Sequence, residues 1–369
     1  MADAKAAPRR EILTLSPYIP GKPADEVKRE FGLDTVIKLA SNENPLGPSP
    51  KAMERIKDMA GASHIYPDAS GFRLKSKLAV KYGVTAEQIV LGNGSDEIIM
   101  FLGEVFVEPG DEVVMPFPTF PVYKTATLLM GGKPVEVDTT EDGFLDLPKM
   151  VASVNARTKL FVICNPNNPT GAMVDVDGID YVMKNLPPHV LVVVDEAYAE
   201  YVEDPAYGEL LPYLKQGRNV AILHTFSKIY GLAGLRVGFG LMREETAGLL
   251  NRVRLSFNQN AIAQEAAIAA LDDEEHLQRS LLTNRTGKAL LSAAFSARGL
   301  KAFPTWGNFI MVDTGKDGQA IFNALLRRGI IVRPTTAWDL PTCLRITVGT
   351  EEQNHALLLA LDQALSEVE

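Results

Sequence analysis

Cysteine is nearly missing from this chain: Cys164 and Cys343 are the only two in 369 residues, far apart and in no Cys-x-x-Cys pair. That excludes a disulfide framework or a cysteine-built zinc site, and a reduced, cytoplasmic setting is the expectation. Histidine is scarce as well, five in all, and none falls in a His-Glu-x-x-His spacing, so a metal centre has no support. No uninterrupted apolar run approaches the ~18 residues of a membrane span. The basic start (Lys5, Arg9, Arg10) is followed by no apolar signal-peptide core. Positive charge is in deficit: the formal net charge is −9, which argues against a nucleic-acid partner. Internal repeats and low-complexity tracts are absent. What is present, 46% hydrophobic and 22% charged residues, describes an ordinary globular chain. Its length exceeds what one core usually supports, so two domains are expected.

Short apolar runs alternate with amphipathic stretches through the middle of the sequence. Ile89–Leu91, Glu112–Met115, Leu160–Ile163, Leu191–Val194 and Val220–Leu223 have the pattern of strands buried on both faces. Strand–helix alternation predicts an α/β fold with a mostly parallel sheet in a large domain. From Ala261 to Arg298 the chain reads as helix. Beyond it, Asn308–Val312, Gly329–Arg333 and Leu344–Val348 read as strands of a smaller α+β domain. The expected division is a segment 1–45 packed with the small domain, a large domain 46–265 and a small domain 266–369.

In such sheets ligands bind beyond the carboxyl ends of the strands, and the polar motifs sit at those ends. Gly92-Asn93-Gly94-Ser95-Asp96 follows the first strand, and its free amides at a helix start make an anion site. It is no dinucleotide fingerprint, because Glu97 stands where a third glycine belongs. Asn165-Pro166-Asn167-Asn168-Pro169-Thr170-Gly171, Asp195-Glu196-Ala197-Tyr198 and Thr225-Phe226-Ser227-Lys228 follow later strands. Arg236 stands eight positions after Lys228. Each residue alone has a plainer reading: Lys228 a solvated surface group, Asp195 a cap, Arg236 a surface ion pair, Tyr198 a core aromatic. Together they are what pyridoxal phosphate asks of a protein. A lysine forms a Schiff base, a carboxylate pairs with the pyridinium nitrogen, and an arginine with the Thr225 and Ser227 hydroxyls takes the phosphate.

These motifs resemble those of fold-type-I pyridoxal-phosphate aminotransferases, and more closely the histidinol-phosphate aminotransferase branch. Pro17-Tyr18-Ile19-Pro20-Gly21, Leu39-Ala40-Ser41-Asn42-Glu43-Asn44-Pro45, Tyr66-Pro67-Asp68 and Leu344-Arg345-Ile346-Thr347-Val348-Gly349 carry the closer likeness. The resemblance runs from about Tyr18 to Gly349. It implies that Lys228 bears the cofactor and Asp195 its ring nitrogen, that Asn168 and Tyr198 contact its 3-oxygen, and that Ser95, Asp96, Ser227 and Arg236 hold its phosphate. Tyr66 would reach the phosphate from the other subunit of a homodimer. Arg345 would anchor the substrate's acidic group, with Tyr18, Asn42 and Arg333 in the same pocket. One position departs from the pattern: the ring-stacking residue is often tyrosine and is Phe120 here, so stacking survives and a hydroxyl is lost, with Tyr123 the nearest replacement.

The reaction implied is amino transfer between L-histidinol phosphate and 2-oxoglutarate, in histidine biosynthesis. Aromatic amino acids are the first rival substrates. A lyase on the same scaffold, such as a threonine-phosphate decarboxylase, would keep every cofactor residue. A regulatory module would need a DNA-binding domain, for which the forty-odd leading residues leave no room.

Overall fold

Aliphatic and β-branched runs become the strands, as their packing on a pleated surface favours. The computed structural model of the chain describes residues 7–15, 17 and 21–368. In chain order the strands are β1 (Ile37–Lys38), β2 (Ile89–Gly92), β3 (Glu112–Phe117), β4 (Lys133–Asp138), β5 (Thr158–Cys164), β6 (Leu191–Asp195), β7 (Val220–Thr225), β8 (Gly238–Met242), β9 (Lys301–Ala302), β10 (Phe309–Asp313), β11 (Ile330–Ile331), β12 (Arg333–Pro334) and β13 (Cys343–Thr347). A seven-stranded sheet runs in the order β2-β8-β7-β6-β5-β3-β4. The pairs from β4 through β7 are parallel, and β8 runs antiparallel to both its neighbours.

Side chains alternate between two cores. Val192 and Val194 of β6 face one with Phe161, Ile163 and Ile222; Leu191 and Val193 face the other with Val162, Cys164 and Leu223. Period-two burial on both faces is what a helix-covered parallel sheet demands. It also sends consecutive residues at a strand end to opposite sides of the sheet.

Two strands of the seven-stranded sheet lay outside the expected set. β4 carries Lys133, Glu136 and Asp138 on a mostly exposed edge, and its Pro134 is tolerated at that edge. β8 contains Gly238 and Gly240, which weaken a strand pattern. Gly238 is needed where it stands, because a Cβ there would lie 2.5 Å from the Ser95 amide nitrogen. The expected strand Gly329–Arg333 is in fact two: β11 pairs with β1, whereas β12 joins the four-stranded sheet β12-β13-β10-β9. The long helical stretch is also interrupted, as Ala261–Ala270 and Glu274–Ala297, with Asp273 capping the second helix. That second helix packs Leu277 and Leu281 on the large sheet's core and buries Leu291 and Phe295 in the core of the smaller sheet.

Candidate active site

Five carboxyl-terminal strand ends of the large sheet open onto one cavity of about 270 Å³, closed from the other side by residues near β1, β12 and β13. Asp195 ends β6 beside Cys164, its register partner on β5. Its side chain is buried: the Ala197 amide donates to Oδ1 at 3.1 Å and the Tyr123 hydroxyl to Oδ2 at 3.2 Å. Burial nevertheless pushes the carboxyl up to about 6, against those two donors. Tyr123, the expected substitute for the hydroxyl missing at Phe120, therefore spends its own on Asp195, while Phe120 lines the cavity.

Lys228 also borders the cavity; its Nζ donates to the Ser41 carbonyl at 3.2 Å and lies 5.5 Å from the centre of the Tyr198 ring. Tyr198 does not sit on an α-helix. It precedes a 3-10 turn, Ala199–Tyr201. Its hydroxyl accepts from Asn42 Nδ2 at 2.9 Å, and Asn42 is in turn fixed by Thr347, whose hydroxyl accepts from its amide at 2.9 Å. Asn42 holds a left-handed backbone, φ 55°, a conformation asparagine tolerates better than most residues.

At the far end, the helix Ser95–Phe106 points its amino terminus into the cavity. Thr225 donates to Ser227 Oγ at 2.9 Å, Arg236 Nη1 lies 3.5 Å from the same oxygen, and Arg236 Nη2 donates to Asp96 at 3.3 Å. A Cβ on Gly94 would lie 2.5 Å from Arg236 Nη2, so glycine leaves the guanidinium its place. Amides at a helix start, three hydroxyls and a guanidinium form a donor set for a phosphate dianion.

On the opposite wall, Arg345 Nη1 donates to Asn168 Oδ1 and Nη2 to the Ala40 carbonyl, both at 2.6 Å. That occupies the Asn168 carbonyl and leaves its amide nitrogen for the cavity. Arg333 and Arg345 are direct cross-strand partners in β12–β13, and both line the cavity. Trp338, unnoticed in the sequence, links them: its ring lies 5.9 Å from the Arg333 guanidinium and 5.8 Å from that of Arg345. Its indole N–H donates to the Thr119 carbonyl at 2.8 Å, next to Phe120. A sequence with only two tryptophans offered that much of a signal. Tyr66 does not line this cavity; it is 79% exposed and stacks on Phe257 at 4.7 Å. Tyr18 lies outside the described residues.

A lysine, a buried carboxylate and a set of anion donors thus meet at the strand ends of this sheet. Residues 34–361 match the family model for class I and II aminotransferases, and the chain belongs to that class. Within it the chain belongs to the histidinol-phosphate aminotransferase family. It is 48% identical to the histidinol-phosphate aminotransferase of Moorella thermoacetica, across 97% of this chain and 93% of that one. To the Caldicellulosiruptor saccharolyticus protein of the same name it is 46% identical, over 97% and 99%. Among solved structures, the Sinorhizobium meliloti histidinol-phosphate aminotransferase in complex with pyridoxal-5′-phosphate superposes with a TM-score of 0.90 at 29% identity, over 99% of both chains.

Proposed function

We propose that the chain is a pyridoxal-phosphate-dependent transaminase that interconverts L-histidinol phosphate and 2-oxoglutarate with imidazole acetol phosphate and L-glutamate. The donor set fits the cofactor. Asp195 is a buried carboxylate lifted to about 6, the state of an acid awaiting a counter-charge, and a protonated pyridine nitrogen supplies one. Ser95, Thr225, Ser227 and Arg236 suit its phosphate, with Asp96 orienting the guanidinium. Tyr198 and the Asn168 amide suit its 3-oxygen, and Phe120 its ring face. When bound, pyridoxal phosphate is the electron sink for the bond that breaks at the substrate's Cα. Lys228 Nζ is the base that moves the Cα proton. Amino donor and acceptor would take turns at one site, so ping-pong kinetics are expected.

The observation that carries the substrate assignment is the pair of arginines placed opposite each other across β12–β13 at the cavity wall. Like charges in cross-strand positions repel. An anion between them relieves that cost, and a phosphate ester with nearly two charges relieves it better than a carboxylate. Arg333→Ala is therefore expected to penalise histidinol phosphate more than glutamate or phenylalanine. Removing one partner of a desolvated charged contact costs about 2–5 kcal/mol, roughly 30- to several-thousand-fold in kcat/KM. Arg345→Ala should damage every substrate, since it also orients Asn168. Equal losses across substrates for Arg333→Ala would move the aromatic amino acids to first place.

The same reading includes a cytoplasmic homodimer with shared sites, each chain divided near residues 45 and 265. No helix among the described residues is long and apolar enough to cross a membrane. Tyr66 supports the shared site, because it projects from the surface with Ile65, Leu255 and Phe257 exposed on the same or the stacked segment. Clustered exposed apolar side chains mark protein contacts. Tyr66→Phe subunits mixed with Lys228→Ala subunits should regain activity on exchange, because one site per mixed dimer is wild-type throughout. Activity that follows the Tyr66→Phe subunits alone, with no gain on exchange, would mean each site is built from one chain.

A further inference from the structure

The residues adjoining Asp195 and Thr225, Glu196 and His224, have no part in the cofactor cavity. The strand alternation that sends Thr225 to one face of the sheet sends His224 to the other, where it stacks on Phe239 at 4.9 Å. Glu196 and His224 wall a second cavity, of about 350 Å³, with Tyr82, Glu200, Tyr207 and Glu209 around it. That is room for a small organic molecule.

Its lining is rich in acceptors and poor in donors. It contains acidic side chains and, among the described residues, no lysine or arginine. Glu196 and His224 are more than nine-tenths buried, yet Glu196 Oε1 and His224 Nδ1 have no hydrogen-bond partner. His224 Nε2 lies 3.5 Å from Glu196 Oε2, so that nitrogen is the one to carry the proton, leaving Nδ1 as an acceptor. Nδ1 lies 3.9 Å from Glu200 Oε1, beyond hydrogen-bond reach. Burial holds the imidazole neutral, pushed down to about 3, so neither contact is an ion pair. The Tyr207 hydroxyl is already given to the Asn165 carbonyl at 2.9 Å. Asp204, also on the wall, accepts from the Ala206 amide and from Trp306 Nε1 at 3.0 Å each.

Leaving buried acceptors unsatisfied is costly, so a built cavity of this kind calls for a donor-rich occupant. Burial pushes Glu196 up, helped by repulsion from Glu200 and Glu209 and opposed by the Leu210 amide. It pushes Glu200 up to about 7, even with Lys81 acting on it from outside the lining. Carboxylates behave this way when they lack a counter-charge. A metal ion does not fit, because no three His, Cys, Asp or Glu side chains among the described residues converge on one point.

We propose that this cavity is a second binding site, for a small organic cation bearing N–H donors, such as an alkylguanidinium. Its head lies between Glu196, Glu200 and His224 Nδ1, with the Tyr82 ring beside it. A planar guanidinium can satisfy both a carboxylate and the imidazole acceptor, and an aromatic wall favours a cation.

The test is calorimetric titration of the cofactor-loaded enzyme with methylguanidinium, which forms no ready adduct with an aldehyde. Tetramethylammonium, a cation without N–H groups, is titrated alongside. Saturable one-site binding of methylguanidinium is expected, weakened at least about 30-fold in Glu196→Gln and Glu200→Gln. Tetramethylammonium should bind at least about tenfold more weakly than methylguanidinium. Absence of saturable binding, equal affinity for the two cations, or unchanged affinity in both variants would overturn the assignment. A wild-type crystal soaked in methylguanidinium serves if the variants do not fold. Density against Glu196 and His224 is expected there, and density only elsewhere, or none, would contradict the proposal.

Discussion

Replacing Lys228 with alanine is expected to abolish transamination while leaving a folded protein that still takes up pyridoxal phosphate. The side chain makes one hydrogen bond, to the Ser41 carbonyl, and reaches into the cavity rather than into a core. Its removal therefore costs little in packing. Ser95, Thr225, Ser227 and Arg236, the residues proposed to hold the phosphate, are untouched, so cofactor uptake should persist. What is lost, on the proposed reading, is the amine that would attach the cofactor and move the substrate's Cα proton. Loss of a positioned acid–base group alone costs about 10²–10⁴ in rate, and loss of the covalent attachment adds to it. Borohydride treatment of the loaded wild-type enzyme should fix the cofactor on the peptide containing Lys228, as read by mass spectrometry. Labelling of any other lysine, or labelling of Lys228→Ala itself, would place the attachment elsewhere.

Asp195→Asn carries the second large effect. The amide keeps the shape of the carboxylate, and its one oxygen can still accept from the Ala197 amide, while the nitrogen that replaces Oδ2 can donate to the Tyr123 hydroxyl oxygen instead. It cannot hold a proton on the pyridine nitrogen, so the ring withdraws electrons less strongly when the Cα bond breaks. Loss of one preorganised electrostatic contact of this sort is worth about 10²–10³ in kcat, with a smaller change in cofactor affinity. Stopped-flow measurement of the Cα proton transfer, with a deuterated substrate to isolate that step, checks it. Near-normal proton transfer in Asp195→Asn would remove the residue from this role. Tyr123→Phe should give a milder version of the same defect, because it takes one donor from the carboxylate and leaves the charge.

Lys228 and Asp195 are both legible in the sequence for a physical reason. A strand buried on both faces has no place for a polar side chain until it ends, so Asp195 after Leu191–Val194 and Thr225 after Val220–Leu223 mark strand ends by their chemistry. Parallel strands all end on the same side of the sheet. Motifs scattered from Gly92 to Lys228 were thereby assigned to one place. The contacts that join the two sheets were not legible in this way. Arg345 reaching Asn168, Asn42 held between Thr347 and Tyr198, and Trp338 reaching the Thr119 carbonyl all span long stretches of chain. No local pattern records such pairings. β12 escaped notice because Val332 separates it from β11 by a single residue, while the two belong to different sheets. The cross-strand register of Arg333 with Arg345 depends on that break.

The central claim, an amino-group transfer specific for histidinol phosphate, is tested most directly by half-reactions on the purified, cofactor-loaded enzyme. Histidinol phosphate, phenylalanine and glutamate are added one at a time, and conversion of the cofactor from its aldehyde to its amine form is followed by absorbance. The predicted result is rapid, complete conversion with histidinol phosphate, conversion with glutamate, and a much lower rate constant per unit concentration with phenylalanine. Conversion by phenylalanine as efficient as by histidinol phosphate, or no conversion by histidinol phosphate at all, would contradict it.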